Sequence, residues 1–265
     1  MSSDRTVHLY STIKVAFDDR VAVVTLNRPK ALNAINSTMV QELGEVLDEV
    51  TQREALAVVL TGAGPKAFAA GADISEMRRM SPAEAARFAE QGQRVFSRLE
   101  SFDRPIIAAV NGYALGGGCE LAMSCDIILA AKNAVFGQPE VKLGVIPGFG
   151  GSQRMTRLVG RQRAREICYT GRSVRSEEAA RIGLAARVAE GDVVAEAMSL
   201  ANQIANNAPR AVSLCKRAIN TGADLDMSSA LAHEAQLFGL CFASSDQKEG
   251  MSAFLDKRPP NFTGR

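Results

Sequence analysis

Short apolar runs alternate with helix-spaced apolar positions through the first two-thirds of the chain, and this alternation stops near residue 192. Val21–Leu26 is short and β-branched, which predicts a strand, with a second strand at Ile13–Phe17 across a turn at Asp18-Asp19. After Ser37, a suitable helix cap, the apolar residues Val40, Leu43, Leu47 and Val50 recur at helical spacing. Ala55–Leu60, Pro105–Val110 and Cys125–Ala131 read as further buried strands. Between the first two, Ser81-Pro82 with Glu84 three residues after the serine predicts a capping-box start for a helix through about Leu99. Strand and helix therefore alternate, which predicts an α/β fold with largely parallel pairing. Ala55–Leu60 and Pro105–Val110 each lead into a loop of small residues, Phe68–Asp73 and Asn111–Gly118. Loops at strand ends are where open α/β folds hold ligands.

From Asp192 onward the signals are almost entirely helical, over residues 192–206, 209–221, 227–243 and 245–255, punctuated by Pro209, Gly222 and Ser244-Ser245. Leu231, Ala235, Phe238 and Phe242 form an apolar stripe that suits either the core or a neighbouring subunit.

Charge narrows the partners. With 31 basic and 29 acidic residues the net charge is +2, so no footprint for nucleic acid or an anionic membrane is expected. The five arginines between Arg154 and Arg165 are the only local support for an RNA-binding protein. No apolar run approaches 18 residues, and Met1–Arg5 lacks the apolar centre of a secretory signal, so a soluble protein is expected. Five cysteines without a CxxC pair fit reduced thiols in the cytoplasm. With only His8 and His233, a histidine-based metal cluster is not expected. There is no GxSxG elbow, no phosphate-binding P-loop at Gly62–Lys66, and no GxGxxG after the first strand, which disfavours serine hydrolysis and nucleotide chemistry.

Glycine followed by acid is the notable feature that remains. Gly116-Gly117-Gly118 precedes Glu120, so three residues without Cβ would expose amides where a helix begins and its dipole favours negative charge. Glu120 in that first turn is equally compatible with a dipole-stabilising surface carboxylate. Ala69-Ala70-Gly71-Ala72 is a second run of minimal side chains, read either as a packed turn or as backbone that meets a ligand. Amides from two such loops can converge on one oxygen as an oxyanion hole. Glu140, in Gly137-Gln-Pro-Glu140, supplies a second carboxylate twenty residues after Glu120. Two carboxylates near one electrophile suit general acid–base chemistry. Spacing alone goes no further than an acid–base pair beside an anion-stabilising loop.

At these loops the chain resembles the enoyl-CoA hydratase (crotonase) family. Asn27–Asn33, Phe68–Ile74, Ala109–Leu121, Phe136–Glu140, Gly144–Gly148 and Asp246–Phe254 look like family motifs in family order. The resemblance implies a spiral of repeated ββα units over residues 1–195, followed by a helical trimerisation segment over 196–265. It further implies a homohexamer built as a dimer of trimers. By motif, the amides of Ala72 and Gly117 would bind the thioester carbonyl, Glu120 would hold and activate water, and Glu140 would supply a proton to the α-carbon. Arg28, Lys30, Ala31, Leu32, Ala70, Ala72, Asp73, Ile74, Ser75 and Gly116 match the loops that line coenzyme A (CoA). Arg28 and Lys30 read as phosphate contacts or solvated charges. Some relatives have lysine where this chain has Ser75, and Lys257 is a further candidate contact to a neighbouring subunit's CoA. No cofactor is implied, because CoA is part of the substrate. Family isomerases commonly keep only the acid near Glu140, so two glutamates favour hydration of a trans-2-enoyl-CoA. An isomerase or specialised dehydratase is the alternative.

Overall fold

A computed structural model describes residues 7–265. β1 (Val7–Leu9), β2 (Ile13–Asp18) and β3 (Val21–Leu26) form an antiparallel meander. The turn between β2 and β3 falls at Asp19-Arg20, one residue later than expected, with Asp19 in the left-handed region at φ 53°. α1 (Ser37–Gln52) follows, capped by Asn36 rather than Ser37: the Asn36 side chain accepts from Met39 N–H at 3.0 Å. Ser37 instead donates through its N–H and hydroxyl to Glu76. Next come β4 (Ala57–Gly62), β5 (Ala67–Ala69), the single turn α2 (Ile74–Met77) and α3 (Pro82–Glu100), which opens with the expected Ser81/Glu84 capping box. β6 (Ile106–Val110), β7 (Tyr113–Leu115), α4 (Gly117–Met123), β8 (Ile127–Ala130) and β9 (Val135–Gly137) lead to a 3-10 turn at Glu140–Leu143. α5 (Gly151–Val159), α6 (Arg161–Thr170), β10 (Ser173–Arg175), α7 (Ser176–Arg181) and β11 (Arg187–Val188) complete the core. The helices α8 (Val193–Ala205), α9 (Pro209–Gly222), α10 (Met227–Cys241) and α11 (Ser245–Leu255) make the tail.

The strands form two sheets rather than one. The larger has the order β1-β2-β3-β4-β6-β8-β11 and is parallel from β3 onward; the smaller has the order β10-β9-β7-β5. Each unit gives one strand to the large sheet, one to the small sheet, then a helix, as in β4-β5-α3, β6-β7-α4 and β8-β9-α5. This is the expected spiral of ββα units. Of the two segments read from sequence as loops, Asn111–Gly118 contains the small-sheet strand β7, and Phe68–Asp73 begins within β5. Both faces of the large sheet are covered. Val58, Leu60, Ile106 and Ala108 pack into the main core, whereas Ala57, Val59, Ile107 and Ala109 alternate to the other face. There they meet Val193, Ala197, Ala201 and Ala205 of α8, whose alanines allow the helix to lie close to the strands.

The expected change of unit at 195/196 thus falls inside α8, a helix that packs along its whole length with the sheet. α9, α10 and α11 differ. Among them only Leu237, Asp246 and Ala253 are buried within the helices, while Phe238, Leu231, Phe242, Phe254 and Leu255 are exposed. The stripe Leu231–Phe242 is therefore outside this chain's own core. No helix of the described residues is long and apolar enough to cross a membrane.

Candidate active site

The two small-residue segments meet where the sheets end. Leu32 and Asn33 both adopt left-handed conformations, at φ 50° and 56°, and turn the chain sharply after β3. Asn33 is fully buried and fixes that turn: its amide nitrogen donates to the carbonyls of Ala63 and Ala67 at 3.0 and 2.9 Å, and its oxygen accepts from Arg28 N–H at 2.9 Å. The Leu32 carbonyl then accepts from Ala70 N–H at 3.0 Å. Ile35 pairs in parallel with Ala72, donating to the Gly71 carbonyl at 2.8 Å and accepting from Asp73 N–H at 2.8 Å. In such a bridge the middle residue's own N–H points away from its partner, so Ala72 N–H faces away from Ile35, toward the second loop.

Gly117 lies on that side. A Cβ added to it would stand 3.3 Å from the Ala72 nitrogen, so the two peptide units are neighbours at the start of α4. Close approach requires glycine along this whole segment. Gly116 has φ 48°, and a Cβ on it would come within 2.8 Å of Glu140 Oε1; a Cβ on Gly118 would run into the Ala69 carbonyl. Two backbone N–H groups at a helix N-terminus, framed by residues without side-chain bulk, can bind an oxygen that becomes anionic.

Glu120 is one turn into α4 and 1% exposed. Its Oε1 accepts from Phe149 N–H at 2.8 Å and from Gly151 N–H at 2.6 Å. Burial pushes its carboxyl up to about 7; the Gly151 N–H bond opposes this, the nearby Glu140 charge adds to it, and the Phe149 N–H bond and Arg154 oppose it. Hydrogen bonds to a charged group contribute about 1.5–3 kcal/mol each, enough to keep a buried carboxylate ionisable near neutrality. Glu140 is half-buried at the start of the 3-10 turn after β9, and burial also pushes it up to about 7. The Gln138 amide, fully buried, donates to Glu140 Oε1 and Oε2 at 2.9 and 3.1 Å when its nitrogen is turned toward the carboxylate. A Cβ added at Gly151 would fall 2.7 Å from the Gln138 amide and 2.9 Å from Glu120 Oε1, so Gln138 sits between the two acids. Two carboxylates that can exchange protons near pH 7 thus flank the N–H pair, which is the equipment of general acid–base catalysis on a carbonyl compound.

Phe149 forms the wall. Its ring packs edge-on against Phe88 and Phe96 of α3, with centroids 5.1 and 5.4 Å away, and would be 3.3 Å from a Cβ on Gly117. Sequence reading missed Gln138 as a side-chain partner and Phe149 and Gly151 as donors to Glu120. The only signal for them was the run Phe149-Gly150-Gly151 after Pro147-Gly148, and peptide N–H groups leave no side-chain trace.

The remaining candidates divide. Arg28, Leu32, Ala70, Asp73, Ser75 and Gly116 are brought together around the same loops. Arg28 Nη2 pairs with Asp73 at 2.9 Å, and Ser75 donates through Oγ and N–H to Asp73 Oδ1. These bonds, the Ser75 one first, hold the Asp73 carboxyl below its usual range. Arg28 is therefore already committed to a protein carboxylate, whereas Lys30 and Ala31 are exposed on the adjoining 3-10 turn and Ile74 is exposed on α2. Lys257, exposed after α11 at φ 55°, shares no described bond with these loops. Within the arginine run, Arg154 pairs with Glu100 and Arg157 with Asp224. Among the described residues no group of three or more His, Cys, Asp or Glu side chains could hold a metal ion.

The chain is similar to known proteins along nearly its whole length. A family model described as enoyl-CoA hydratase/isomerase matches residues 16–265. The short-chain-enoyl-CoA hydratase of Clostridium acetobutylicum is 54% identical over 91% of this chain and 93% of its own. The crotonyl-CoA hydratase of Syntrophomonas wolfei is 46% identical over 97% and 99%. Among solved structures, an enoyl-CoA hydratase from Bacillus anthracis superposes with a TM-score of 0.92 at 37% identity, covering 96% of this chain and all of that one. The chain belongs to the enoyl-CoA hydratase/isomerase family.

Proposed function

We propose that the protein is an enoyl-CoA hydratase that adds water reversibly to a short trans-2-enoyl-CoA, giving a 3-hydroxyacyl-CoA, in acyl-CoA degradation. The observation that carries this reading is the pair of glutamates, Glu120 buried and Glu140 half-buried, both poised near pH 7, on either side of the adjacent Ala72 and Gly117 amides. Glu120, as carboxylate, takes a proton from water while the water oxygen bonds to the β-carbon. The π electrons move toward the thioester, and the enolate oxygen is held by the Ala72 and Gly117 N–H groups, whose bonds strengthen as charge grows there. Glu140, as the acid, gives its proton to the α-carbon. The proton gained by Glu120 and lost by Glu140 is then re-equilibrated through the site, which restores the enzyme. An isomerase needs only one acid–base group at the α and γ carbons; a second, fully buried Glu120 favours hydration.

CoA would run along the edge formed by Lys30, Ala31, Leu32, Ala70, Asp73, Ile74 and Ser75, near Arg28 and Gly116. No cofactor beyond this carrier is required, and no metal. The apolar face of α10 and α11 suits assembly into trimers, paired as a hexamer, with Lys257 facing a neighbouring subunit's CoA; the spiral core and these helices would then be separate working units. Nothing in the charge pattern suits nucleic acid or a membrane surface, and a cytoplasmic location fits the thiols. Following the absorbance loss of four- to twelve-carbon 2-enoyl-CoA thioesters on adding purified protein tests the reading. Fastest turnover is expected on the four-carbon substrate. Absence of hydration across the panel, with 3-enoyl-CoA isomerised instead, would overturn it.

A further inference from the structure

One arginine outside the site is tied to its deepest acid through one short loop, Phe149–Gly151. The guanidinium of Arg154, on α5, makes a forked pair with Glu100 at the end of α3, Nε to Oε1 at 2.6 Å and Nη2 to Oε2 at 2.8 Å. Its third nitrogen, Nη1, donates to the Phe149 carbonyl at 2.6 Å. The other sides of that loop are the N–H groups of Phe149 and Gly151, both aimed at Glu120 Oε1. Gly150 between them has φ 105°, and a Cβ on it would run into the Arg154 guanidinium, so the loop is shaped to receive this side chain. Glu100 is itself anchored from the tail, since its carbonyl accepts from Asn220 Nδ2 of α9 at 3.0 Å.

We infer that Arg154 is a positioning residue for Glu120, locking the Phe149–Gly151 loop so that two peptide N–H groups stay fixed on one carboxylate oxygen. The inference rests on the hydratase reading of Glu120. Only a planar guanidinium can grip a carboxylate with two nitrogens and a carbonyl with a third; a lysine ammonium supplies the charge without the fork. The Phe149 ring is held by Phe88 and Phe96, but its carbonyl lies in the peptide unit between the two donor N–H groups, and rotation of that unit would shift their aim at Glu120. The charged and titratable groups around Glu120 are Glu140 from the 3-10 turn, Arg154 from α5, Cys168 from α6 and Cys119 on α4 itself. Burial pushes both thiols up, Cys168 to about 11, so neither ionises where Glu120 does.

The test is the pH dependence of crotonyl-CoA hydration by full-length wild type, Arg154→Met, Arg154→Lys, Glu100→Gln and Glu120→Gln. In Arg154→Met, kcat is expected to fall about 10- to 100-fold with KM within about threefold, the pattern of a misplaced catalytic group. Its acid limb, which reports Glu120 as base, moves up by roughly 0.5–1 pH unit, because a cation that favoured the carboxylate is gone. Arg154→Lys restores the limb but only part of the rate, and Glu100→Gln lowers kcat with the limb in place. A purely structural role predicts a uniform loss at every pH, and a profile for Arg154→Met that scales onto wild type would overturn the inference. Should that variant fail to fold, unchanged kcat in both Arg154→Lys and Glu100→Gln overturns it equally. If Glu120→Gln retains wild-type turnover, the hydratase reading fails and the inference falls with it; if Glu120→Gln is inactive and the Arg154 variants are not impaired, only the inference fails.

Discussion

The floor of α4 and the 3-10 turn after β9 each present a glutamate whose carboxyl is pushed up to about 7, but they do so by different means. Glu120 is buried and held by two backbone N–H groups, a fixed mount with no rotamer to choose. Glu140 is half-buried on a short turn and met by one side-chain amide, that of Gln138. A carboxylate that must carry and orient water benefits from rigid donors on its far oxygen. One that passes a proton to carbon benefits from a partner that tolerates both its charged and neutral forms. The same acidity is thus reached with opposite stiffness, which suits the two groups to different halves of one reaction.

The sharpest way to break that comparison is to neutralise each acid. Glu120→Gln and Glu140→Gln are each expected to lower kcat on crotonyl-CoA by about 10²–10⁴, the range for lost proton transfer. The amide oxygen of Gln at position 120 can still accept both N–H bonds, so loss of rate there reports chemistry rather than collapse of the loop. A smaller effect separates the two mounts. Gln138→Leu removes a donor that favours ionised Glu140, so the alkaline limb of the hydration profile, where Glu140 loses the proton it must deliver, should move up by roughly 0.5–1 pH unit. The acid limb should stay. Because the two carboxyls interact, the limbs belong to the pair, and it is the difference between variants that assigns them.

The smallest effect concerns stability. Glu120 binds its proton more tightly folded than unfolded, so its contribution is fully present below the unfolded value near 4.5 and is lost as pH rises through about 7. Glu120→Gln should therefore be more stable than wild type at pH 8, by on the order of 1–3 kcal/mol, and near parity at pH 4.5. Thermal unfolding at the two pH values measures the difference; equal stabilisation at both would mean that burial of the charge is not its cause.

Five of the seven strands of the large sheet were legible because their residues alternate between two buried faces, as Val58 and Leu60 do against Ala57 and Val59, whereas the short edge strands β1 and β11 left no such run. The small sheet was not, since β5 and β7 are three residues each, embedded in alanine and glycine that signal turns. The helix at Ser37 was found one residue from its true cap, Asn36, because adjacent Asn and Ser offer equally good acceptors. In the site, Glu120, Glu140 and the two small-residue loops could be singled out, but the spiral and the separate roles came only with the family resemblance. Gln138 and the Phe149–Gly151 donors stayed hidden because their contacts are made by fold geometry rather than by residue type. The tail stripe could have faced core or neighbour; exposure of Phe238 and Phe242 places it outside the chain's core.

Butyryl-CoA, which has an α-carbon but no double bond to hydrate, isolates one half of the proposed division of labour. Exchange of its α-proton in D2O needs a base at the α-carbon and the N–H pair on the thioester oxygen, and does not need activated water. Glu140→Gln is expected to slow that exchange by at least about 10², while Glu120→Gln keeps it within about tenfold of wild type despite losing hydration. Exchange that survives in Glu140→Gln and disappears in Glu120→Gln would contradict the assignment of the two glutamates.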